Sequence, residues 1–223
     1  YKLAFEKHGY GWPTIGWMQD IQGFTTEDCL AFYRTYYAPN NATVVVVGDV
    51  KIKDVLGKIQ RAYGHLSPSI LPIEDVQPEP PQLAERRLSV QKPTASHKVM
   101  LGYRGPALGD NDHAALTVLN EVLFGGRASR AHRSLVQERE IALEVRGWVS
   151  TFRDPGLYDI SLTGREGVSG EDLLAALDLV LATVVDAPIT DAELLRVKAR
   201  MELAGLQAME SAGIKVSQSP ARL

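Results

Sequence analysis

The hydrophobic positions of this chain change period several times, and each change marks an element. Through "FTTEDCLAFYRTYYAPNN", Leu30, Phe32, Tyr33, Tyr36 and Tyr37 make a broad apolar face at helical spacing. Thr25 can accept from the amide of Asp28, Glu27 and Asp28 place negative charge at the positive end of the helix dipole, and Pro39 stops the run. The pattern then becomes four consecutive valines, Val44–Val47, between Asn40-Asn41 and Gly48-Asp49. A short continuous apolar run of this kind predicts a strand, Thr43–Val47, buried on both faces. Helical spacing returns at Ile52, Val55, Leu56, Ile59 and Tyr63, with Gly64 as the stop.

Residues 67–84, "SPSILPIEDVQPEPPQLA", hold five prolines and fit no regular element. Proline at this density makes a stiff, extended connector, so the pattern predicts a boundary between residues 1–66 and 85–223. Beyond it, "RRLSVQ" and "HKVMLGYRG" read as strands, and "GDNDHAALTVLNEVLFGG" as a helix capped by Asp110 and closed by Gly125 and Gly126. "LEVRGWVSTFRDPGLYDISLTG" reads as a hairpin, with Asp154-Pro155-Gly156 in the turn. Ser169 caps a helix whose buried stripe is Leu173, Leu177, Val180, Leu181 and Val184. Thr190 with Glu193 forms a capping box that opens a last helix carrying Leu194, Val197, Met201 and Ala204 inward. The fold class is α+β, antiparallel sheets packed on helices.

Composition narrows the function classes. The net charge of -3 and pI near 6.0 argue against an obligate nucleic-acid partner, which needs a concentrated basic surface. No apolar run reaches the roughly 18 residues that a membrane span needs. The single cysteine, Cys29, excludes an intrachain disulfide and a multi-cysteine metal site, and suits either redox environment. "YKLAFEKHG" lacks the basic-then-apolar layout of a signal peptide, and the chain reads as a piece of something longer.

A complete catalytic set is not visible in the residues. Five histidines stand at 8, 65, 97, 113 and 132, and the nearest two are 16 apart, far from the spacing of a helical zinc pair. "FGGRASRA" follows a helix and not a strand, so it is no phosphate loop. It reads either as a glycine C-cap running into the next helix or as a substrate-contacting loop. Its candidate contacts are Gly125, Gly126, Arg127, Ser129 and Arg130. Asp110-Asn111-Asp112 suits helix capping better than a metal.

Two longer segments carry a family resemblance. "YGWPTIGWMQDIQGFTTEDCLAFYRTYYAPNNATVVVVGDV" holds a Tyr-Gly-x-Pro-x-x-Gly loop, a capped helix, Tyr-x-Pro-x-Asn and a segment ending in Gly-Asp. "ALTVLNEVLFGGRASRAHRSLVQEREIALEV" holds a leucine-rich helix, paired glycines and Ser-Arg. In their order and spacing they resemble the pitrilysin, insulinase and mitochondrial processing peptidase family of zinc metallopeptidases, over about residues 8–215. The resemblance implies two related domains, both incomplete here. Residues 1–66 would be the C-terminal part of the first, 67–84 the linker, and 85–223 most of the second. It also implies a His-x-x-Glu-His zinc helix and a distant glutamate upstream of the aromatic loop "GYGWPTIGWMQDI". No metal ligand or cofactor is then expected within this segment, and zinc is expected in the longer parent.

Many members of that family carry an arginine and, seven residues later, a tyrosine that reach the substrate from domain two. Val136 and Leu143 stand at those positions, and neither can donate a hydrogen bond to an oxyanion. The resemblance thus implies a non-catalytic portion of a peptide-degrading or peptide-processing zinc metallopeptidase, forming part of its chamber wall. The alternative is an inactive scaffold or partner subunit of a heteromeric complex. The implied partners are a peptide substrate and either a partner subunit or a homo-oligomeric copy.

Overall fold

A computed structural model of the chain describes residues 1–73 and 77–210. The chain divides into two compact units, Tyr1–Leu88 and a second that begins at Ser89.

The first unit holds three helices, α1 (Met18–Gly23), α2 (Thr26–Tyr36) and α3 (Ile52–Tyr63). The capping box of α2 forms as its sequence predicts: Asp28 N–H donates to Thr25 Oγ1 at 3.2 Å, and Thr25 N–H donates to the Asp28 carboxylate at 3.0 Å. These bonds, the side-chain one foremost, hold the Asp28 carboxyl below its ordinary pKa. Gly64 ends α3, and its N–H returns to the Gln60 carbonyl at 2.8 Å. The predicted strand at Thr43–Val47 does not form. The segment is extended and unpaired, with Val45 and Val47 74% and 88% exposed. A strand is stabilised by its neighbours, and the described residues of this unit offer none. The aromatic face of α2 is likewise exposed at Phe32, Tyr33 and Tyr37.

The second unit builds one antiparallel sheet of three strands, β1 (Lys98–Arg104), β2 (Ala142–Val149) and β3 (Leu157–Gly164), in the order β1-β3-β2. The hairpin β2-β3 forms as predicted, and β1 pairs with the free side of β3, Leu101 opposite Ile160. The predicted strand "RRLSVQ" is absent; Leu88 and Val90 are exposed on irregular chain. Three helices accompany the sheet, α4 (Asn111–Phe124), α5 (Gly170–Asp186) and α6 (Asp191–Glu210), with a π-helical segment at His132–Glu138.

The register explains the core. Alternate residues Tyr158, Ile160 and Leu162 of β3, with Val145 and Val149 of β2, point to one face. There they meet Leu123 and Phe124 of α4, Leu135 of the π-helix, and Leu173, Ala176, Leu177 and Val180 of α5. Gly147 lets α4 lie close on β2: a Cβ there would come within 2.2 Å of Asn120 Oδ1 and 2.5 Å of the Phe124 ring. The opposite face carries Lys98, Met100, Arg146 and Trp148 on the outer strands and Asp159 and Ser161 in the centre.

Two predicted details of this unit differ. Asp110 precedes α4, but its carboxylate accepts from Ala107 N–H at 2.9 Å and caps no helical amide. In α6, Val197 is buried and Leu194 and Met201 are half-buried, whereas Ala204 is exposed.

Candidate functional site

The loop after α4 is built from closed backbone bonds. Gly125 N–H donates to the Glu121 carbonyl at 2.9 Å, which makes Gly125 the C-cap. Gly126 has a φ of +82°, a conformation that favours glycine. A Cβ at Gly126 would also fall 2.0 Å from the Arg200 guanidinium, so this position combines conformational and steric demand. Arg200 in turn lies 3.1 Å from the Glu121 carboxylate, an ion pair by distance without hydrogen-bond alignment.

The five candidate residues divide by what their side chains do. Ser129 is fully buried, and its Oγ donates to the Gly126 carbonyl at 2.7 Å, which locks the turn. Arg130 donates through Nε and Nη2 to both oxygens of Glu193 at 2.8 and 2.9 Å. Its remaining donors reach the Thr183, Ala187 and Pro188 carbonyls at 3.0, 3.1 and 3.3 Å. One guanidinium thereby satisfies carbonyls at the end of α5 and holds the start of α6. Its bond to Glu193 raises the Arg130 pKa and pulls the Glu193 carboxyl down to about 2, with help from the Thr190 backbone and hydroxyl. Arg127, by contrast, is exposed at the tip. The fold brings all five residues into one loop, with Ser129 and Arg130 turned inward and Arg127 outward.

Spacing could show Thr190-Glu193 as a capping box, and it is one, with Glu193 N–H donating to Thr190 Oγ1 at 3.3 Å. It could not show that the same carboxylate also receives Arg130, which is 63 positions away. Nor did any local signal mark Glu121 and Arg200 as flanking the glycines.

Val136 is half-buried against the core, and Leu143 is exposed where the β2-β3 register slips between Ala142 and Glu144. Neither side chain has a polar atom to offer. Between them, Glu140 has a φ of +51°, the one described non-glycine residue at positive φ. It occupies the left-handed residue that closes a helix: Ile141 N–H returns to the Leu135 carbonyl at 3.1 Å and Arg139 N–H to Ser134 at 3.0 Å.

Among the described residues, no three His, Cys, Asp or Glu side chains come together as a metal site. These residues therefore do not fit zinc. Two of the histidines have local partners. His8 Nδ1 accepts from Tyr10 N–H at 3.2 Å, and His113 Nε2 donates to the Ser150 carbonyl at 3.0 Å. No single described helix is long and apolar enough to cross a membrane.

Comparison with known proteins places this arrangement. The family model described as the peptidase M16 inactive domain matches residues 23–201. The chain is 30% identical over 215 residues to the zinc protease PqqE of Helicobacter pylori, covering 95% of this chain and 48% of that protein. It is 25% identical to the uncharacterized zinc protease YmxG of Bacillus subtilis, over 98% of this chain and 52% of the relative. Among solved structures, a protease from Helicobacter pylori superposes with a TM-score of 0.87 at 27% identity, covering 97% of this chain and 53% of that one. A peptidase M16 inactive domain from Pseudomonas fluorescens gives 0.74 at 25% identity, over 92% of this chain and 48% of that one. The chain thus spans about half the length of the relatives it matches. The match of that family model over most of the chain identifies it as a member of the M16 peptidase family, carrying the family's inactive domain.

Proposed function

We propose that the chain is the non-catalytic portion of a longer zinc-dependent metallopeptidase that degrades or processes peptides, and that its second unit forms part of the substrate-chamber wall. The observation that carries this reading is the division of labour in the loop after α4. Ser129 and Arg130 are engaged in internal hydrogen bonds, and Arg127 is left exposed. A preorganised loop with one exposed cation can engage peptide carbonyls or a carboxylate without paying to order itself on binding. The zinc of the longer protein would be held outside the described residues, and no catalytic step is assigned to groups of this chain.

In this reading residues 1–66 are the C-terminal part of the first peptidase-like domain, 67–84 the linker, and 85–223 the second domain. Support comes from the exposed valines and aromatic residues of the first unit, which fit a surface that further chain would cover. The second reading is an inactive scaffold or partner subunit of a heteromeric complex. It is favoured by Val136 and Leu143, which give the domain no hydrogen-bond donor at those two positions.

The test uses the longer protein. Arg127→Ala is expected to raise KM for a peptide substrate roughly 3–10-fold with kcat nearly unchanged, the mark of lost ground-state binding. An unchanged KM in a folded variant removes Arg127 from the wall. A longer protein that cleaves peptides only after a partner subunit is added supports the second reading.

A further inference from the structure

The segment before the aromatic loop is held by an acceptor from far along the chain. Ala4 and Phe5 N–H donate to the Tyr1 carbonyl at 2.8 and 2.9 Å, and a short 3-10 turn begins at Gly9. Between these turns the amides of Glu6, Lys7 and His8 turn to a side chain. All three donate to one carboxylate, that of Glu79, at 2.7, 2.9 and 2.8 Å. Three successive amides around one anion form a nest, and each bond is charge-assisted.

Glu79 sits in Pro78-Glu79-Pro80-Pro81. Prolines fix φ and lack N–H groups, so this stretch cannot hold its place by a backbone ladder. Its attachment is through side chains. Seven residues on, Arg86 donates to the Leu3 carbonyl at 3.1 Å and pairs with the Glu6 carboxylate. On the other side of the proline-rich stretch, Ser69 exchanges two hydrogen bonds with Asn40 at 2.9 and 3.0 Å. The receiving loop is itself rigid: Phe5 is buried and stacks with Tyr1, and Tyr10 meets its edge.

Among the described residues beyond Arg87, the next long-range hydrogen bond is at His97, whose carbonyl accepts from Gly164 N–H at 2.9 Å at the start of the sheet. Between Arg87 and His97 the hydrogen bonds are local, Thr94 N–H to Lys92 and Thr94 Oγ1 to Ser96, and the side chains are largely exposed.

We propose that the pivot between the two units is residues 88–96, and that residues 77–86 are a strap belonging to the first unit, with Glu79 as its positioning residue. Residues 77–86 of the proline-rich region are then held by side chains, and the chain bends where proline is sparse. This inference does not depend on the peptidase reading.

Thermolysin, which cuts before large apolar residues, separates the alternatives on the full 223-residue chain. Leu83 in the strap is 93% exposed, against 73% and 67% for Leu88 and Val90 in the pivot. Ile70 and Ile73, 95% and 96% exposed, lie outside both segments and do not separate the alternatives. Among the other three sites, side-chain exposure alone therefore sends the earliest cut to Leu83. A strap held at Glu79 and Arg86 sends it to Leu88 or Val90, because a protease must draw several residues of free backbone into its cleft. Glu79→Ala is expected to speed cleavage at Leu83 roughly tenfold, since opening of the strap then limits less, and to leave the rate at Leu88 unchanged. The same variant should lose the hydrogen-exchange protection of the Glu6, Lys7 and His8 amides. Cleavage of the unmodified chain at Leu83 before Leu88 and Val90 overturns the proposal whether or not the variant folds. So does a variant whose cleavage and exchange patterns match those of the unmodified chain.

Discussion

Val44–Val47 in the first unit and Val145 and Val149 in the second are β-branched residues on extended backbone, yet their surroundings are opposite. The first four are exposed and unpaired, while the second two lie 5% and 6% exposed under α4 and α5. What separates them is the presence of partners. β2 has β3 beside it and two helices across one face. Among the described residues the valine run in the first unit has no strand beside it, and Val44 and Val46 face the apolar side of α3, chiefly Val55, Leu56 and Ile59. An apolar side chain contributes stability only when something removes it from water, at roughly 25 cal/mol per Å². The same residue type is therefore a core in one unit and an open surface in the other.

Hydrogen exchange gives the largest expected contrast. Amides of Ile160 and Leu162 in the central strand should report the global stability of their unit, which at about 5 kcal/mol or more means a slowing beyond three orders of magnitude. Amides of Val45 to Val47 should exchange close to the unprotected rate. Equal protection in both segments breaks the comparison, and would mean that the valine run finds a strand partner in solution. Sedimentation then shows whether that partner is a second copy of the chain.

The clamps of the two units sharpen it next. Arg130 and Glu193 are largely buried and join α5 to α6, so Arg130→Ala should cost roughly 2–4 kcal/mol in urea unfolding of the second unit, because it leaves a carboxylate and several carbonyls unpaired. The pH dependence has a definite sign. Glu193 is lowered from 4.5 unfolded to about 2 folded, so its contribution is present in full above pH 4.5 and is lost as the pH falls through about 2. In Arg130→Ala that acid-sensitive part should vanish. Persistence of the same acid slope would assign it to another carboxylate.

The smallest effect concerns Glu140. A non-glycine residue in the left-handed conformation carries a steric cost, so Glu140→Gly should stabilise the second unit by about 1 kcal/mol. A loss of stability would show that the glutamate side chain contributes more than its backbone costs.

Much of this fold was legible in the pattern of residues. Helices with strong periodicity and polar caps formed where their sequence placed them, because a cap such as Thr25-Asp28 or Ser169-Asp172 is made by residues three apart and needs nothing distant. The hairpin was legible for a similar reason, since its turn and both strands are contiguous. The candidate site was legible only as a glycine-rich loop. That Ser129 and Arg130 hold it while Arg127 does not follows from Glu193 and the α5–α6 turn, which sequence spacing cannot place beside it.

Local chemistry, then, was determined by the sequence itself: capped helices, a proline-rich stretch, paired glycines, and an order of motifs specific enough to point to one peptidase family. Tertiary structure decided which apolar runs became core and which extended stretch was held. Val44–Val47 read as a buried strand and stayed open, because burial and pairing are supplied by other segments and are not properties of the run. Residues 67–84 read as a stiff, extended connector, and only the tertiary structure could show that Glu79 within it accepts from the Glu6, Lys7 and His8 amides, because those partners lie more than 70 positions away.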